Sequence, residues 1–320
     1  MLGSAVLSAC GGGGSSDDIV VPTGARSGSA SPGSNISASN YQSLGGSGAR
    51  SVLAMNQSAS TSSAAGGTST PASLPTLVAA QAASFVEGTA VALSANRRIA
   101  ASETESAACP YGGSIVIIAN DADNSKTLSA GDSVSATLNN CKVDASIPAI
   151  NGSMSLKINA VELDSHKEPS ALDASGSFTR LSAGGNSLTG SYRLWSRKNA
   201  DRLVMRMSFS DVSLTAPGMT AVLNTDLYAE VMSTGATTYT YSGTAGIGGQ
   251  TYEVSQNGSF SLNGSLPVSG ALRLKDAAGN AVELKAKAGA LVDIQFYPAG
   301  ANTPASTLAN QSWNLFLSAN

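Results

Sequence analysis

From residue 114 onward the chain alternates apolar and polar residues in short runs of period two. Met154, Leu156 and Ile158 point one way, and Ser155, Lys157 and Asn159 the other. Leu203, Met205, Met207 and Phe209 repeat the pattern against Val204, Arg206 and Ser208. Period two predicts strands with one buried face. Further strands are predicted over residues 114–119, 133–139, 175–181, 188–195, 221–231, 237–241, 250–254, 259–266, 271–274, 282–286, 291–297 and 312–317.

Turn signals separate these runs: Asn151-Gly152, Gly184-Gly185-Asn186, Gly248-Gly249, Asn257-Gly258, Asn263-Gly264 and Ala278-Gly279-Asn280. Gly and Asn supply the positive φ of tight hairpins. Strands recur with no long helical pattern between them, so the fold class is all-β, an antiparallel meander. Strands this numerous close into a barrel, stack as a sandwich, or form a curved sheet or half-barrel with a covered face. Upstream, residues 71–86 predict one short helix and residues 89–93 a strand.

Residues 11–70 differ in kind. Gly, Ser, Ala and Thr dominate them, and large apolar residues are sparse. Such a segment buries too little surface to offset its ordering entropy and reads as a flexible, disordered tether. The β domain then spans residues 71–320. Charged residues are 12% of the 320, about half the usual share. The formal net charge is −3, with no basic block, which argues against a nucleic-acid partner. No run approaches the ~18 apolar residues of a membrane-spanning helix.

The chain has three cysteines. Cys10 closes the run Leu7-Ser8-Ala9-Cys10 and is followed by Gly11-Gly12-Gly13-Gly14. This run resembles the lipobox of bacterial lipoproteins, where Leu, two small residues and Cys mark the cleavage site. The resemblance implies that residues 1–10 are the remnant of a signal peptide and that Cys10 carries lipid. It also implies an exported protein whose partner is a membrane. Gly11, in place of the Asp that holds such proteins at the inner membrane, implies the outer one. Cys109 and Cys141 then remain, the number one disulfide needs in an oxidising compartment.

One segment has metal-ligand spacing. Residues 121–132 place oxygens at Asp121, Asp123, Ser125, the Thr127 carbonyl, Ser129 and Asp132. This looks like the twelve-residue calcium loop of EF-hand and dockerin proteins, where alternate oxygens wrap one Ca²⁺. Lys126 stands where those loops carry Gly, Asp132 where EF-hands carry Glu, and the flanks read as strands. An Asx-rich hairpin turn with solvated carboxylates fits the same residues and is the plainer alternative.

Catalytic groups are few. His166 is the only histidine, and it lies in a polar turn without a GxSxG motif. Glu103, Glu105, Asp144, Glu162, Asp211, Asp226, Glu230, Glu253 and Asp293 are scattered carboxylates. The expectation is an envelope lipoprotein with a non-enzymatic binding or structural role, its partner another envelope protein or a glycan. The alternative is a carrier of lipid or another hydrophobic ligand, with Leu203, Met205, Met207 and Phe209 lining a concave sheet. A hydrolase of envelope polymers comes third; it needs two carboxylates about 5–10 Å apart across a cleft.

Overall fold

The computed structural model describes residues 19–60, 103–125, 127–142, 149–165, 169–183, 186–216, 219–234, 237–263 and 266–317. The helix predicted over 71–86, the strand over 89–93, and Cys10, Asp144 and His166 lie outside these residues.

The sheet is antiparallel and follows chain order. Its strands are β1 (Glu103–Ala108), β2 (Ser114–Asn120), β3 (Ser133–Cys141), β4 (Ile150–Leu163), β5 (Pro169–Ala183), β6 (Asn186–Lys198), β7 (Arg202–Ala216) and β8 (Met219–Met232). They continue as β9 (Thr237–Ile247), β10 (Gln250–Gln256), β11 (Phe260–Asn263), β12 (Leu266–Ser269), β13 (Ala271–Lys275), β14 (Ala281–Lys287), β15 (Leu291–Tyr297) and β16 (Ser306–Ser312). Each pairs with its predecessor, except that the β11–β12 hairpin stands aside on β9 while β10 pairs directly with β13. No pairing joins β16 to β1 in the described sheet, so it is an open meander and not a barrel.

The alternation read from the sequence sets the two faces. Met154, Leu156, Phe178, Leu194, Met207, Leu227, Tyr241, Leu274, Leu284 and Ile294 share the inner face and belong to one buried cluster. Only two helices cover it among the described residues: α1 (Tyr41–Ser60) and the single turn α2 (Asn314–Leu317). The inner face is nonetheless almost wholly buried and forms one continuous cluster from β3 to β15.

The sheet carries a row of bulges. Asn140, Arg180, Asp211 and Asn310 have positive φ and sit at register shifts on β3, β5, β7 and β16. Each has its N–H taken by a side chain of the neighbouring strand: Asn151 Oδ1, Thr189 Oγ1, Asn224 Oδ1 and Asp293 Oδ1, at 2.8, 3.2, 2.9 and 2.8 Å. Bulges increase local twist, and repeating them strand after strand bends a wide sheet. This corrects Asn151-Gly152, predicted as a turn. Gly152 lies inside β4 at φ 108°, where a Cβ would meet the Arg180 carbonyl oxygen at 2.2 Å. The Gly there serves a bulge and not a hairpin.

Residues 19–51, part of the segment that composition marks as a tether, lie against the sheet. Residues 19–36 cross its outer face as a strap. Glu162 on β4 and Arg197 on β6 hold the Ile19 backbone, and Arg206 on β7 donates to the Pro22 carbonyl. Ser242 on β9 and Thr251 on β10 take Arg26 and Ser31. The strap then rounds the β13–β14 turn, where Asp276 accepts the Ile36 N–H at 2.8 Å. Beyond it the chain enters the inner side as α1, and Tyr41 meets Phe296.

Small residues, which signal disorder when nothing covers them, here permit contact. A Cβ on Gly45 would lie 2.3 Å from Ile294, and one on Gly48 2.9 Å from Leu274. The helix axis approaches the sheet because those side chains are missing. Residues 11–18 and 61–70 of the expected tether lie outside the described residues.

Two more expectations change. The predicted strand 312–317 is the end of β16 followed by α2, because Trp313 is wholly buried and turns the chain inward. β1 and most of β16 carry no apolar alternation and were not predicted.

Candidate functional site: the aspartate loop and the outer-face cleft

The Asp-rich segment is the connection between β2 and β3. It is pinned to β4 by Gly131 N–H to the Ile158 carbonyl and Ile158 N–H to the Asp132 carbonyl, both 2.8 Å. Leu128 is buried and anchors the loop to the core. Positive φ at Asn124 and Gly131 lets the backbone fold back on itself.

The loop brings Asp121, Asp123 and Asp132 together, with carboxylate oxygens within 4.8 Å of one another. Asp121 and Asp132 are buried and Asp123 is exposed, so the cluster opens to water on one side. This compact acidic cluster suits a hard divalent cation such as Ca²⁺, which prefers oxygen donors. The other predicted ligands are turned to the loop's own hydrogen bonds. Ser125 N–H donates to Asp121 and Asp123, and Ser125 Oγ to the Thr127 carbonyl at 2.9 Å. Ser129 gives its N–H and its hydroxyl to Asp132. The Ser125 hydroxyl and N–H hold the Asp123 carboxyl below the usual carboxylate range.

The disulfide Cys109–Cys141 is formed, with Cα atoms 5.4 Å apart. It closes the opposite end of the β2–β3 pair from the aspartates, since Ser114 pairs with Asn139 and Asn120 with Ser133. The hairpin is therefore fastened at both ends, covalently at one and by the polar loop at the other.

A second feature lies on the outer face, and sequence reading did not single it out. Between β5 and β8 a cleft of about 480 Å³ opens under the strap, lined by Arg26, Ser175, Ser191, Trp195, Arg206 and Asp226. Cross-strand pairing puts Trp195 beside Arg206, and Ser208 beside Asp226. Arg206 hydrogen-bonds Asp226, and Arg26 reaches over from the strap with Nη1 3.8 Å from Asp226 Oδ1. Arg193 covers part of the Trp195 ring at 4.6 Å and makes a two-pronged pair with Asp173 at 2.7 and 3.0 Å. Burial pushes the Asp173 carboxyl up, but the Arg193 and Asn159 hydrogen bonds and the Arg193 charge outweigh it, and the group ends below its ordinary value. The signals in the sequence were Asp226, one of the scattered carboxylates, and Trp195, placed among polar residues on the face opposite Leu194.

The remaining predicted residues are placed as follows. Met207 and Phe209 are buried in the inner cluster, and Met205 packs half-buried against it; Leu203 is half-buried. Glu162, Glu230, Glu253 and Asp293 pair with Arg197, Arg202, Lys275 and Lys287, while Asp211 bonds Asn224. No helix among the described residues is long and apolar enough to cross a membrane. Comparison with family models, with curated proteins and with solved structures gave no match.

Proposed function

We propose that this chain is an exported bacterial envelope lipoprotein, anchored through Cys10 to the outer membrane, with a non-enzymatic binding or structural role. The observation that carries the role is the pairing of carboxylates. A hydrolase needs a carboxyl group free to move a proton, whereas Glu162, Asp226, Glu230, Glu253 and Asp293 are each held by a cation. The Cys109–Cys141 bridge supports an oxidising compartment. Calcium in the aspartate loop would brace the β2–β3 end of the sheet.

The strap changes the geometry of anchoring. Ile19 is fixed to β4 and β6, so only eight residues, or nine steps along the chain, separate Cys10 from Ile19. At 3.3–3.6 Å per residue that span reaches about 30 Å at most. The body then sits close to the bilayer, its strap side tied near the surface.

The test is metabolic labelling with a clickable fatty acid, followed by membrane fractionation and mild crosslinking. The wild type should take label, sediment with membranes and trap an envelope partner or glycan. Cys10→Ser should lose label and sediment no longer. Labelling that survives this change refutes the anchor; a wild type that traps nothing refutes the binding role.

A second reading, a lipid or hydrophobic-ligand carrier, is favoured by one observation. α1 contacts β8, β9, β14 and β15, and the half-buried Leu203 and Met205 lie on the same inner face. Native mass spectrometry of the purified chain would retain bound lipid under this reading and show bare protein otherwise.

A further inference from the structure

We infer that the outer-face cleft between Trp195 and Asp226 is a binding site for a neutral sugar. The proposal rests on the binding role above but not on the anchor.

The first ground is a mismatch of hydrogen bonds. Asp226 has only 6% of its side chain exposed, yet its Oδ1 has no hydrogen-bond partner. Arg26 Nη1, at 3.8 Å, is too far to donate to it. The Nε–H of Arg206 in the same cleft is likewise buried without an acceptor. A buried donor and a buried acceptor left unmade are both costly, and side by side they call for a group that donates and accepts at once. A hydroxyl does both.

The second ground is charge. An anion would meet the buried Asp226 carboxylate, and the guanidiniums of Arg193 and Arg206 are already neutralised by Asp173 and Asp226. A cation would meet Arg26, Arg193 and Arg206. Arg26 shares Asp226 with Arg206 and leaves the lining with an excess of positive charge, but the unpaired acceptor is the Asp226 carboxylate itself, which repels an anion at that point and accepts from an uncharged hydroxyl.

The third ground is shape. Ser191 and Ser208 add hydroxyls to the rim, and the half-buried indole of Trp195, partly covered by Arg193 and Arg206, adds apolar surface. A pyranose has an apolar ring face and a girdle of hydroxyls. The volume of about 480 Å³ falls within the range of small-ligand sites and has room for one ring or two.

Trp195 makes the test direct, because the other tryptophan, Trp313, is wholly buried and serves as constant background. The full chain is titrated with glucose, galactose, mannose, N-acetylglucosamine and their common disaccharides at millimolar concentration, and with inorganic phosphate as the anionic control. At least one sugar should shift the emission saturably, and phosphate should not. Asp226→Asn should weaken that sugar roughly tenfold or more, as expected for losing a hydrogen bond to a charged group. Ser191→Ala, at an exposed rim position, should weaken it less and leave the melting temperature unchanged. Should Asp226→Asn not fold, Ser191→Ala with Ser208→Ala reads the same site. No sugar response, a response to phosphate alone, or a sugar response that these changes leave untouched overturns the proposal. Crosslinking of a partner in the absence of any sugar response would overturn it while leaving the binding role standing.

Discussion

Asp211 and Asn224 close a bulge between β7 and β8 by a reciprocal pair. The Asp211 N–H donates to Asn224 Oδ1 at 2.9 Å, and Asn224 Nδ2 donates to Asp211 Oδ1 at 2.9 Å. Asp211 stands at φ 50°, a conformation that disfavours most side chains. Asn224→Ala should therefore cost about 1–2 kcal/mol, by freeing one backbone N–H and one carboxylate. Asp211→Gly loses one of the two bonds but relieves the strained φ, so its cost should be smaller. Urea midpoints of the two variants check the order, and the reverse order would mean that strain at Asp211 is negligible.

The face of α1 offers a contrast in sign. A Cβ on Gly45 meets Ile294 at 2.3 Å, whereas one on Gly46 finds only Phe316 at 3.5 Å. Gly45→Leu should overpack and destabilise by about 1–3 kcal/mol. Gly46→Ala should stabilise by up to about 1 kcal/mol, because Ala is the better helix former and the site has room. Thermal melts of the two single variants distinguish a docked helix from a free segment, for which both changes would only raise helicity.

These glycines also show where sequence reading reaches and where it stops. The inner face was legible because burial in a sheet imposes period two: Met154, Leu156 and Ile158 are buried as the alternation requires. The hairpin at Gly248-Gly249 was legible because both residues take positive φ there. The helix was not, since Gly45, Gly46 and Gly48 are poor helix formers and their value lies in contact with Ile294 and Leu274, distant in sequence. The bulge at Gly152 carried the same dipeptide as a turn. Of the candidate site, Asp121, Asp123 and Asp132 were legible by spacing. The cleft was not, because Arg26, Trp195 and Asp226 meet only through strand order and the path of the strap.

Acid should weaken the Asp173–Arg193 pair. The Asp173 carboxyl is held below its ordinary value in the folded protein, so the unfolded chain binds the proton first. The pair's contribution is complete above the unfolded carboxylate pKa of about 3.9 and is lost as pH falls through the lower folded value. Because Arg193 is half exposed, the contribution is at most about 1 kcal/mol. Chemical denaturation from about pH 6 to about pH 2 should show Asp173→Asn and wild type converging at the acid end. A gap that is constant with pH would assign the effect to packing.

Loss of the disulfide should be felt at the start of the sheet. Cys109 and Cys141 are 32 residues apart, and a closed loop of that size is worth about 3–4 kcal/mol in the chain-entropy model. The Cys109→Ser, Cys141→Ser double variant should lose about that much. Hydrogen exchange should rise first in β1 to β3, which meet the rest of the sheet only through β4 among the described strands. Uniform exchange across all strands would mean that the sheet unfolds as one unit.

Calcium separates the two roles of the aspartate loop, because its carboxylates are used differently. Asp132 is a strut: Oδ1 accepts Ala122 N–H at 2.9 Å, and Oδ2 accepts Ser129 N–H at 2.7 Å. Asp132→Ala should therefore destabilise the protein by about 1–3 kcal/mol even in a chelator. Asp123 is exposed and accepts the Ser125 N–H at 3.0 Å, so Asp123→Asn, which keeps an acceptor oxygen there, should leave the chelated protein nearly unchanged. With calcium the order changes. An ion bound to the folded state adds stability as RT ln(1 + [L]/Kd), about 2.7 kcal/mol at a hundredfold excess over Kd. The wild type should melt higher in calcium than in chelator, and Asp123→Asn should lose most of that increment because it removes one of three clustered charges. Magnesium, which demands tighter octahedral geometry, should give a smaller increment. If wild type and Asp123→Asn melt alike with and without calcium, the loop is a polar turn whose aspartates serve its backbone, and the metal assignment fails.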